Sequence, residues 1–104
     1  MKQKEINDYN RRCAEFLGVT LHESQITTPH SHFMRYHSDW NYIMEVVEAI
    51  ERLGFYTKIL DNGMTIEGKL VLERWGKNKK EGVVQAINQF LIYYNNENSN
   101  NRQP

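Results

Sequence analysis

A chain with one cysteine, Cys13, has no means of closing an internal disulfide or building a cysteine-rich zinc module, and that usage suits a reducing cytoplasm. Long apolar runs are missing as well. None approaches the ~18 residues needed to span a bilayer, and the start, MKQKEINDYNRR, lacks the apolar stretch of an export signal, so a soluble, non-secreted protein with no membrane partner is expected. Net charge is absent too: thirteen basic and thirteen acidic residues cancel. No global field therefore draws the chain to nucleic acid or anionic lipid, and any such binding must come from a local patch. There is no glycine-rich phosphate loop, no nucleophile elbow, no metalloprotease motif and no internal repeat, which argues against an enzyme and implies no cofactor or small-molecule substrate.

What is present is core material. The 104 residues are 39% apolar and 12% aromatic, enough for one folded domain with a modest core. Ile6, Tyr9, Cys13, Phe16 and Leu17 recur on one helical face ahead of Gly18, which predicts a first helix from about Lys4 to Leu17. Residues 19–37 show no period and form a long loop. Ser38 reads as an N-cap, Asp39 suits the positive end of a helix, and Trp40, Ile43, Met44, Val47, Ile50 and Leu53 form a stripe that stops at Gly54, so a second helix spans 39–53. Its other face carries Glu45, Glu48 and Glu51, an acidic solvated surface.

Three strands follow at 55–60, 64–67 and 69–75, the first pair joined through Asp61-Asn62-Gly63, a hairpin signal, and the second through Gly68. Asn78 with Glu81 resembles a capping box for a third helix at 79–94, marked by Val83, Ala86, Ile87, Phe90, Leu91 and Tyr94. The asparagine-rich residues 96–104 read as a disordered tail. The expected fold is α+β in the order α-α-β-β-β-α, a single domain over 1–95 whose three-stranded antiparallel sheet packs on helices. Its core is predicted as Phe16, Leu17, Trp40, Ile43, Val47, Ile50, Leu53, Ile59, Leu70, Leu72, Val83, Ile87, Phe90 and Leu91. Charge is unevenly spread: residues 36–68 hold two basic and six acidic groups, whereas 69–104 hold six basic and three acidic.

Several residues could carry function. His22, His30, His32 and His37 crowd around TPHSHFMRYHSDW, and neutral imidazoles folded together would suit zinc; histidines in a long polar loop are more often unligated, so no metal is assigned. Cys13, on an apolar helix face, reads as inert packing rather than a nucleophile. The aromatics Tyr36, Trp40, Tyr42, Trp75, Tyr93 and Tyr94 exceed what so small a fold readily buries. Tyr36, Trp75 and Tyr93 are therefore candidates for a protein-partner surface or for homodimer formation.

Two resemblances sharpen this reading. CAEFLG (13–18), YHSDWNYIMEVVEAIERLGF (36–55) and KKEGVVQAINQFLIYYN (79–95) resemble the phage ABA-sandwich domain of small phage proteins and prophage proteins of Bacteroidetes. The resemblance implies a phage origin and a bacterial host cytoplasm, and it brings no catalytic residues with it. A non-enzymatic accessory protein working by protein contact or self-association is the expected function. The α-β-β-β-α order also resembles double-stranded RNA-binding domains, and GKNKKEGVVQA (76–86) is similar to the basic start of their last helix. That resemblance implies phosphate contacts from Lys77, Lys79 and Lys80. Against it, the short turn at 61–63 replaces that family's loop between the first strands, and the second helix is acidic.

Overall fold

The structure, a computed structural model, describes residues 1–19 and 35–101. It is an α+β fold in the expected order: α1 (Gln3–Phe16), α2 (Trp40–Arg52), β1 (Tyr56–Ile59), β2 (Gly63–Glu67), β3 (Val71–Trp75) and α3 (Lys79–Asn101). Most of the long loop expected at 19–37 lies outside the described residues. The chain falls into two compact units, Met1–Phe55 and Tyr56–Pro104.

In the first unit both helices stop where a residue with positive φ becomes necessary. Leu17 ends α1, and Gly18 at φ 78° turns the chain so that Gly18 N–H bonds the Glu15 carbonyl and Val19 N–H the Ala14 carbonyl. These bonds satisfy carbonyls that a helix end leaves orphaned. Leu53 and Gly54 (φ 99°) end α2 in a similar way. The start of α2 corrects the sequence reading by one residue. Asp39, not Ser38, is the N-cap: its carboxylate accepts the Asn41 N–H at 2.9 Å, a stronger acceptor than a serine hydroxyl beside a helix dipole.

The second unit is a three-stranded antiparallel sheet in the order β1-β2-β3, packed on α3 through β2 and β3. Met64, Ile66 and Leu72 point to the helix and are buried, meeting a helix stripe of Val83, Val84, Ala86, Ile87, Phe90 and Leu91. Each of these side chains larger than alanine contributes about 1.5–3 kcal/mol on leaving water, so this apolar layer holds the unit together. The expected capping of α3 is present. The Glu81 N–H donates to Asn78 Oδ1 and the Lys77 N–H to Glu81 Oε2, both at 2.9 Å.

Two expectations about α3 and the core need correction. The predicted disordered tail at 96–104 begins inside a helix, because α3 continues to Asn101; no Pro or Gly lies between Asn95 and Asn101 to stop it sooner. Of the predicted core, Leu53 is 47% exposed, since it caps α2 beyond the last full turn, and Phe16, Leu17, Trp40, Ile59 and Leu70 are half-buried. Tyr9, Cys13, Val46, Met64 and Ile66 are buried in addition.

Candidate functional site

Alternation along the strands decides what the sheet shows to solvent. Side chains two apart share a face, so the face opposite Met64, Ile66 and Leu72 carries Tyr56 and Lys58 from β1, Gly63, Thr65 and Glu67 from β2, and Val71, Glu73 and Trp75 from β3. Three large apolar side chains on it are open to solvent: Tyr56 is 67% exposed, Val71 75% and Trp75 52%. An antiparallel sheet with one wet face normally keeps that face polar. Here the indole of Trp75 also lies over Gly63, where an added Cβ would sit 2.8 Å from the ring. The glycine leaves room for the ring against the neighbouring strand, where it makes an aromatic platform on the same face as Val71, with Glu73 between them.

This platform is anchored by a close junction at its rim. The Gly76 N–H donates to the Asn62 carbonyl at 2.8 Å, and Asn62 Nδ2 donates back to the Gly76 carbonyl at 3.3 Å. The first turn of α3 presses on the same turn, so a Cβ at Gly82 would strike the Asn62 backbone and come within 2.6 Å of the Gly63 Cα. Backbone therefore meets backbone where Trp75 leaves β3, and the indole is positioned by rigid neighbours rather than by a loop.

The other candidates fall differently. Tyr36, expected on a partner surface, is 5% exposed: its turn (36–38) precedes α2, and its ring meets Tyr42 edge-on at 5.3 Å. Burial, with Glu45 and Cys13 nearby, pushes its pKa upward. Tyr93 is half-buried in the second half of α3. Among the histidines, His22, His30 and His32 lie outside the described residues. His37 Nδ1 is 3.0 Å from Asn10 Nδ2, which as the donor leaves the ring proton on Nε2. Among the described residues no three His, Cys, Asp or Glu side chains gather as metal ligands would.

Cys13 is buried, and that burial pushes its thiol pKa up to about 12 despite the neighbouring Tyr9 hydroxyl and Arg12. A thiol so strongly protonated is a poor nucleophile. Lys77 and Lys79 are exposed and Lys80 is half-buried at the start of α3. Asn78 and Glu81 already occupy the N–H groups of Glu81 and Lys77, and the Glu81 carboxylate sets a negative charge among the lysines. Glu45, Glu48 and Glu51 are exposed along α2, as expected for a solvated helix face.

The exposed sheet face thus brings together one sequence candidate, Trp75, with two residues the sequence reading missed, Tyr56 and Val71. The signal was present: each alternates with a charged residue of the same face, Lys58 or Glu73, which marks that face as the wet one. No family model, curated protein or solved structure matches the chain. Among the described residues no helix is long and apolar enough to cross a membrane.

Proposed function

We propose that this chain is a non-enzymatic accessory protein of phage type, working in a bacterial cytoplasm by protein–protein contact through the open face of its sheet. The observation that carries this reading is the grouping of Tyr56, Val71 and Trp75, all more than half exposed, on the face that α3 leaves uncovered. Tyr56, Val71 and Trp75 are apolar anchors, and Lys58, Glu67 and Glu73 lie between them on the same face, a mosaic of apolar and charged groups that a protein partner can match. The likeness of residues 13–95 to the phage ABA-sandwich family supports the phage origin.

Duplex-RNA binding through Lys77, Lys79 and Lys80 is the weaker reading. Phosphate held at a helix start needs free N–H groups and positive charge, and Glu81 competes for both. The contact reading is tested with a photoreactive benzophenone amino acid placed at Val71 and, as reference, at the exposed Glu15 in producing cells. Protein adducts from position 71 and none from position 15 are expected. An absence of protein adducts at 71 would overturn the reading.

A further inference from the structure

Charge on the open sheet face is arranged so that one rotation makes the face its own complement. The register sets Lys58, Thr65 and Glu73 in a row across the three strands; Tyr56, Glu67 and Val71 form a second row, and Gly63 with Trp75 a third. Lys58 and Glu73 stand at opposite ends of their row, with the short Thr65 between them.

We propose that the occupant of this face is a second copy of the chain, stacked sheet on sheet about a twofold axis running along β2. The proposal rests on the reading of the face as a protein-contact surface and names its partner. Rotation about that axis exchanges β1 with β3 and keeps each row over itself. Lys58 of one copy then stands over Glu73 of the other, twice, and each Tyr56 comes over a Val71. At the axis the two Trp75 indoles, each lying over its own Gly63, face one another. A twofold axis along the rows would instead put Lys58 over Lys58 and Glu73 over Glu73, so charge selects the first arrangement.

The dimensions agree. Facing sheets pack about 10 Å apart with a crossing of about 30°, and the ends of the central row lie about 5 Å from the axis, so the crossing shifts them by about 2–3 Å. Lysine and glutamate side chains span such a gap. One feature opposes the stacking: Glu67 meets its own copy on the axis.

Strand addition at the β3 edge is the poorer route. The bonds Gly76 N–H to Asn62 O and Gly68 N–H to Leu70 O bracket the β2–β3 ladder, so by alternation Leu72 and Arg74 bond to β2 while Glu73 faces outward. The Arg74 guanidinium already takes that outward Glu73 carbonyl at 2.7 Å, which blunts the edge. A face three short strands wide is smaller than a standard interface, so the dimer dissociates in the range of about 10–100 µM.

Sedimentation velocity of the full chain, from a few micromolar to several hundred micromolar, tests the proposal. The dimer fraction should rise with concentration. Glu73→Lys should weaken it at least about tenfold, adding Lys58→Glu should restore it to within about threefold, and Glu67→Gln should strengthen it. All are surface changes, and circular dichroism checks that each variant stays folded. Monomer at every concentration, or a dimer indifferent to these charge changes, would overturn the proposal. If the chain is monomeric while Val71 photo-adducts carry other proteins, the second copy is excluded and the contact reading stands. A monomer without adducts removes both.

Discussion

The two units of this small protein bury different kinds of interior. The second fills the space between sheet and helix with Met64, Ile66, Leu72, Val83, Ile87, Phe90 and Leu91, all apolar. The first sets Ile43, Val46, Val47 and Ile50 alongside Tyr9, Asn10, Cys13 and Tyr36. Among the described residues Asn10 Oδ1 is buried without a hydrogen-bond partner, and the buried Tyr9 hydroxyl has only the weak Cys13 thiol beside it. An apolar interior gains from burial alone, whereas a polar one gains only as far as its groups find partners, so the first unit depends on solution conditions where the second does not. Burial, reinforced by Cys13, raises the Tyr9 pKa well above its ordinary value, and burial lowers that of His37. The contrast extends outward: the second unit pairs the simpler interior with the face that carries the apolar anchors.

The largest effect expected from breaking this comparison is at Phe90, fully buried and stacked at 5.9 Å on Tyr94. Phe90→Ala should destabilise the second unit by about 3–5 kcal/mol, read by denaturant unfolding and by faster hydrogen exchange along α3. Exchange unchanged in α3 would show that the apolar layer is not what holds the unit.

Next comes Gly82. In a helix, glycine to alanine ordinarily stabilises by about 1 kcal/mol. Here the added Cβ strikes backbone of the β1–β2 turn, which has no side chain to swing aside, and Gly82→Ala should instead destabilise by about 2 kcal/mol. A stabilised variant would mean that the junction is looser than the structure has it.

The smallest effect sharpens the comparison through pH. With its folded pKa below the unfolded value of about 6.5, His37 takes up a proton more readily in the unfolded chain. Its contribution is complete above the unfolded pKa and is lost as pH falls from about 7 through the lowered folded value. Denaturant midpoints at pH 7.5 and 5.5 should therefore differ less in His37→Gln than in the wild type. Equal differences in the two proteins would assign the pH response to other groups.

How much of this was legible in the sequence follows the range of the interactions involved. Elements set by local rules were readable: the hairpin between β1 and β2, which closes through the Leu60 N–H to the Gly63 carbonyl around Asp61-Asn62, the Asn78–Glu81 cap and the helix stops at Gly18 and Gly54 each depend on residues within a few positions. Boundaries slipped where two neighbouring residues compete, as Ser38 and Asp39 do for the start of α2. The length of α3 was missed because an asparagine-rich composition signals a tail but supplies no helix stop. Burial was harder. Tyr36 and Trp75 look alike as aromatics near element ends, yet one turns inward against Tyr42 while the other leaves β3 on its wet face. Packing against Tyr42 decides the first and strand register the second, and the register also groups Tyr56 and Val71 with Trp75, an alignment across three strands that no local motif announces.

β3 turns Val71 to solvent while α3 seals the opposite face of the sheet. The most direct measurement is methyl NMR of the chain at low micromolar concentration, titrated with a soluble paramagnetic gadolinium chelate. Strong broadening of the Val71 methyls is expected, with little change at Val83, which is fully buried. Comparable protection of Val71 and Val83 would contradict it.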